Sequence, residues 1–244
     1  MIIIDIIKAV PQMRTVKNKR EEKTMQTTTK TILLLLLILG FCVPKANAEQ
    51  IEIRIAATVY NMFDDGNFLG GQITNGSIIT GSYVYESTTP DLNPLDPVQG
   101  NYRHYSTPAG VFLTVGGFEF KTDPTNVEFD IFTRNNIPED RYGFASSNNL
   151  PLSESVGVGS IFWTLINSDG SVLSSDALPT TVPVLNLWQE NDLMITGGGW
   201  QGETWNEYGI HAVVTSAELV PEPGTFLLLT LGAFAIRKCR RFQN

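Results

Sequence analysis

Ile51-Glu52-Ile53-Arg54-Ile55-Ala56-Ala57-Thr58-Val59-Tyr60 puts an apolar residue at every odd position, while Glu52, Arg54 and Thr58 hold even ones. A strict period of two marks a strand with one buried face, because successive side chains leave a pleated backbone on opposite sides. The stretch from Glu207 to Leu219 reads the same way, with Ile210, Ala212 and Val214 on its apolar face. These first and last strands are expected to share one sandwich, which would bring both ends of the domain to a common region.

The pattern persists between them. Asn75-Gly76 predicts a type I′ hairpin, whose two central residues need positive φ, joining a short strand at 72–74 to a longer one at 77–85. Val111, Leu113 and Val115 share a face, and the phase switches at Gly116-Gly117 to Phe118 and Phe120, which predicts a glycine bulge. Val127, Phe129 and Ile131 alternate with Glu128 and Asp130, and residues 160–166 are nearly continuously apolar, as in a central strand. Asp169-Gly170 predicts a second hairpin turn. No helical period and no internal repeat emerge. The expected fold is all-β, a single jelly-roll-like β-sandwich over residues 49–219.

The two ends read differently. Lys30 precedes the apolar run from Ile32 to Leu39, followed by Gly40, Pro44 and Ala46-Asn47-Ala48. A positive flank, a short apolar helix and small residues at the cut are the parts of a secretory signal, so residues 1–48 are expected to be removed after Ala48, with Ala46 and Ala48 in the peptidase pocket. Met25, or else Met13, would give a signal of more usual length than Met1. A lipoprotein reading through Cys42 is disfavoured by Phe41, where a small residue belongs. At the other end, residues 220–244 carry Pro221-Glu222-Pro223-Gly224, an apolar run over 225–236, and Arg237-Lys238-Cys239-Arg240-Arg241. As a helix that run is about 18 Å long, short of the roughly 30 Å of bilayer hydrocarbon. The basic cluster would stay on the cytoplasmic side.

This tail resembles the PEP-CTERM sorting signal of Gram-negative bacteria. The triplet Pro221, Glu222 and Pro223, the hydrophobic helix, and the basic Arg237, Lys238, Arg240 and Arg241 stand in the family's order. Gly224, the short helix and Cys239 are its departures. The resemblance implies export, transient inner-membrane anchoring through the C-terminal helix, and cleavage by an exosortase in a bacterium that makes exopolysaccharide. Gly81-Ser82-Tyr83-Val84-Tyr85, Thr89-Pro90-Asp91 and Gly100-Asn101-Tyr102 are similar to a group of uncharacterised PEP-CTERM proteins, which implies no defined activity.

Charge narrows the partners. Residues 49–220 hold five basic residues against 21 acidic ones, a net charge of −16. Such a surface repels phosphate backbones and anionic lipid, which excludes nucleic acid. Both cysteines, Cys42 and Cys239, lie outside this segment, so it has neither an internal disulfide nor a thiol nucleophile.

No catalytic motif stands out, and no enzyme activity is expected. His104 and His211 lie in predicted strands beside large apolar residues, where a structural role outweighs metal ligation. Glu128 and Asp130 share a strand face and could serve a glycosidase, but a solvated acidic face is the commoner meaning. Glu203 and Glu207, which flank Trp205, read as ordinary exposed acids. Asp64, Asp65 and Asn67 around Gly66, and Asp91, Asn93 and Asp96, offer oxygens at sharp turns that could collect calcium, although Asp and Asn also cap turns. Trp188, Trp200 and Trp205, near Gly197-Gly198-Gly199, could stack on sugar rings, with Gln201, Glu203 and Asn206 for hydroxyls, or pack in the core.

The resulting expectation is a non-enzymatic surface or extracellular-matrix protein, associated with exopolysaccharide through the family resemblance, with signal peptidase and exosortase as export partners. The alternatives are a carbohydrate-binding or calcium-supported adhesive module, and a carbohydrate-active enzyme on a jelly-roll scaffold.

Overall fold

The computed structural model of the chain describes residues 49–136 and 138–221. The expected signal segment with Ala46 and Ala48, and the tail with Glu222, Pro223, Arg237, Lys238, Arg240 and Arg241, lie outside the described residues. Ten strands follow one another: β1 (Gln50–Asp64), β2 (Ile78–Glu86), β3 (Gln99–His104), β4 (Gly110–Val115), β5 (Phe118–Lys121), β6 (Phe129–Arg134), β7 (Asp140–Ser146), β8 (Val156–Asn167), β9 (Glu190–Gln201) and β10 (Thr204–Leu219). They form one antiparallel sheet in the order β3-β6-β7-β8-β9-β10-β1-β2-β4-β5. The expected first and last strands are neighbours, paired from Ile53 opposite Leu219 to Asp64 opposite Tyr208. Ile51, Ile53 and Ile55 are buried, as are Ile210, Ala212 and Val214.

The sheet is strongly curled. Tyr83 on β2 and Tyr142 on β7 stand five places apart in the strand order, which in a flat sheet means about 24 Å. Their hydroxyls are 2.7 Å apart. The concave side is therefore closed on itself, and the two walls of the sandwich come from one continuous sheet. Trp163, Tyr83, Tyr85, Tyr142, Tyr208, Phe120, Phe129 and Phe144 fill the interior. Tyr83 packs 4.8 Å from Phe144 and edge-on to Trp163, ring centre to ring centre.

Two glycine turns differ from what the sequence predicts. Gly116 and Gly117 both have positive φ (57° and 85°) and close a tight hairpin that pairs Val115 with Phe118. The phase switch there is a reversal of direction, not a bulge. At Asn75-Gly76 only Gly76 has positive φ, with Ser77 N–H donating to Thr74 C=O, which is the type II pattern. Residues 72–74 form no strand, and β2 pairs with β1 instead. True bulges lie elsewhere: Tyr60 has no opposite residue on β10, and Thr215 has none on β1.

Asp169-Gly170 turns the chain, but β8 and β9 are joined by a longer excursion containing one 3₁₀ turn, Leu185–Leu187. This strap is fastened from below. The fully buried Asp140 accepts from Asn136 N–H (2.8 Å), Val172 N–H (2.6 Å) and Leu173 N–H (2.8 Å). Tyr102 O–H donates to Asp176 C=O (2.9 Å) and Tyr85 O–H to Pro179 C=O (2.6 Å), so the strap's inward carbonyls are satisfied. At the end of β3, the buried His104 accepts at Nε2 from Glu86 N–H (3.3 Å) and donates from Nδ1 to Phe129 C=O (3.3 Å). Burial lowers its pKa below the ordinary histidine value.

Two outcomes follow from these buried groups. Asp140→Ala leaves three amides without their charged acceptor and should cost about 3 kcal/mol or more in chemical denaturation; a loss below about 1 kcal/mol would deny it the fastening role. His104 is neutral when folded and protonates more easily when unfolded, so the unfolded chain takes up more protons as pH falls below about 6.5. Stability should decline over that window, ahead of the carboxylates, and His104→Gln should flatten the decline in melting temperature between pH 7 and 5.5.

Candidate functional site

The outer face of β9, β10 and the distal part of β1 carries the exposed aromatic residues of interest. β9 and β10 form a tight hairpin closed by Gly202-Glu203, with Gly202 at φ +65°. Trp200 and Trp205 lie directly opposite each other near its tip, 5.7 Å apart in an edge-to-face arrangement. Trp200 is 62% exposed and Trp205 47%, so neither belongs to the core. Trp188 differs from them: it is a residue of the strap itself, just after the 3₁₀ turn, and it is buried.

Glycines under the rings explain the geometry. A Cβ on Gly198 would lie 2.9 Å from the Trp205 ring, and one on Gly209 would clash with the Phe63 ring. Each ring thus rests on bare backbone of the neighbouring strand, where any larger residue would lift it. Trp205 Nε1–H donates to Glu207 Oε1 at 3.2 Å. Gln201 donates to Gly66 C=O and accepts from Asn206, so both amides are engaged beside the pair.

Farther along the same face, the bulge turns Tyr60 outward. Its hydroxyl donates to Asp192 Oδ1 at 3.0 Å, and its ring lies 6.0 Å from that of His211. His211 Nδ1 is 3.2 Å from Asp192 Oδ2. Partial burial first, and then the Asp192 carboxylate, raise the Tyr60 pKa, which keeps the phenol a donor. The sequence pointed to none of Phe63, Tyr60 or Asp192; the pairing of β1 with β10 is what brings them into line.

The other candidates resolve into structural duties. Arg103 on β3 reaches across to β6 and grips Asp130 through Nε (2.6 Å) and Nη2 (3.0 Å), with Glu128 3.9 Å from Nη1. Those hydrogen bonds raise the Arg103 pKa further, and its guanidinium binds the two acids into one ion-pair cluster. Asp64 accepts from Phe68 N–H (2.8 Å) and Leu69 N–H (2.7 Å), using both carboxylate oxygens to shape its own loop. Asn67 takes the left-handed conformation there (φ 50°), and Asp65 is exposed. Asp91 accepts from Asn93 and Asn101 N–H, and Asp96 accepts from Val98 N–H. Among the described residues no group of three or more His, Cys, Asp or Glu side chains is placed to hold a metal ion. No helix among them is long and apolar enough to cross a membrane.

Compared with known proteins, residues 219–241 match the PEP-CTERM protein-sorting motif. No curated protein and no solved structure matches the chain. The matched segment starts at Leu219, the last residue of β10, so no linker separates fold from signal. The motif implies export, sorting to the cell surface and processing by an exosortase. The chain thus carries a PEP-CTERM protein-sorting motif joined directly to the strand that closes its curled β-sheet.

Proposed function

We propose that the chain is a non-enzymatic protein of the surface or extracellular matrix of a Gram-negative bacterium, displayed within an exopolysaccharide layer. On this reading, signal peptidase cuts after Ala48, and the C-terminal helix holds the precursor in the inner membrane. An exosortase then removes the basic end, and the β-domain remains as the mature product. The observation that carries the reading is the direct run of β10 into the sorting motif beside the start of β1, where Val220 N–H donates to Glu52 C=O. Both ends of the fold leave from one place, so two cuts there would free the domain without cutting into it.

The duties of the acids support a display role over catalysis. Asp130, Asp140 and Asp64 hold an arginine or backbone amides. A groove of about 320 Å³ beside Pro108, Phe112 and Leu150 has Lys121 as its only charged lining residue, and that ammonium is already held by Glu119 at 2.8 Å. The reading requires no cofactor. Calcium at Asp64, Asp65 and Asn67 would share a carboxylate whose two oxygens each already accept a backbone amide.

Processing is directly measurable. Intact mass of the surface-extracted protein should show a chain beginning at Glu49 and lacking residues 237–244. Replacing Pro221, Glu222 and Pro223 with alanine should leave uncut precursor in the inner membrane. A mature pool that retains the full tail would refute the sorting scheme.

A further inference from the structure

We propose that the outer face of β1, β9 and β10, from Trp200 and Trp205 to His211, is a binding track for a linear polysaccharide of amine-bearing sugars. It deepens the display reading, because it names what the displayed domain would hold. Three observations carry it.

The first is linearity. Trp205, Phe63 opposite Gly209, and Tyr60 beside His211 follow one another along β10. From residue 205 to 211 the strand covers about 20 Å, long enough for several sugar rings and too extended for a small molecule. The second is ring presentation. Trp205 and Phe63 lie against Gly198 and Gly209, yet both remain substantially exposed, so each ring is seated on backbone and still meets water. Sugar C–H faces stack on such surfaces, and a cationic amine is drawn to the negative ring face.

The third is charge. β9 and β10 contain no lysine or arginine, and Glu207 and Asp192 flank the aromatic residues. With −16 over residues 49–220, the face repels acidic polymers and also a second copy of itself. Aromatic faces bordered by carboxylates, with no lysine or arginine on the two long strands, complement an amine-bearing chain.

Isothermal titration of the purified full chain with a glucosamine hexamer, its N-acetylated counterpart and polygalacturonate tests this. The free-amine hexamer should bind at least about tenfold tighter than the acetylated one, and polygalacturonate should not bind. Trp205→Ala and Trp200→Ala should each weaken binding several-fold with little change in melting temperature. Glu207→Gln should weaken it as well, whereas Glu218→Gln, an equal loss of charge at the far end of β10, should not. Equal effects of the two Glu variants would show diffuse charge attraction and overturn the proposal. So would tryptophan variants that bind normally, equal affinity for both hexamers, or a self-association that the tryptophan variants abolish. None of these results bears on tail processing, so the two readings fail separately.

Discussion

The antiparallel pairing of β1 with β10 is the contact on which the architecture depends. On one side of it lie β2, β4 and β5, and on the other β9, β8, β7, β6 and β3. Without it the chain would be two smaller sheets, each with an apolar face open to water. The pairing joins segments from opposite ends of the domain, so its loop-closure cost is repaid only when the interior forms. Its register is fixed because a slip of one residue would turn Ile210, Ala212 and Val214 outward while Ile53 stayed in. The two bulges of this pairing, at Tyr60 and Thr215, and a third at Gly159 on β8 add local twist where a ten-stranded sheet must curl over to bury one face.

That curl imposes a polar problem inside. An aromatic interior brings phenols with it, and each needs a partner once buried. Tyr83 and Tyr142 satisfy each other across the fold, and burial raises both phenols well above their ordinary pKa. Tyr85 and Tyr102 instead reach the carbonyls of the strap, while Asp140 takes its amides. The strap is thus pinned by side chains from β2, β3 and β7, not by a ladder of its own. A segment with so little regular structure can be held this firmly because donors and acceptors on the sheet match it from below.

The sequence made the strands legible wherever one face was wet. Ile51 to Tyr60 and Glu207 to Leu219 read correctly because alternation records burial directly. The turns were less legible. Asn-Gly and Gly-Gly both permit positive φ, and which pair closes a tight hairpin depends on which strands meet, a tertiary fact. The role of Asp140 was not legible, because its three amides come from Asn136 and from the distant strap. For the aromatic face, Trp200 and Trp205 could be singled out but not placed, since a tryptophan near glycines fits a core as well as a ledge. The cross-strand register decides it: Trp205 falls over Gly198 and Phe63 over Gly209, positions that one strand's pattern cannot reveal.

The long strands also give the domain a direction. Leu219 and Gln50 lie at one end of the β1–β10 ribbon, where the sorting motif begins, while Trp205 and Phe63 lie near the other, with about 45 Å of strand between Trp205 and Leu219. Exposed aromatic rings normally invite association, and a protein concentrated at a surface would suffer from it. The net charge of −16 over residues 49–220 opposes such association without covering the rings. A larger residue at Gly198 or Gly209 would push the Trp205 or Phe63 ring off the strand. Bare backbone lies beneath the rings, at the end of the β1–β10 ribbon farthest from the sorting motif. That combination suits a face meant to meet something other than the protein itself.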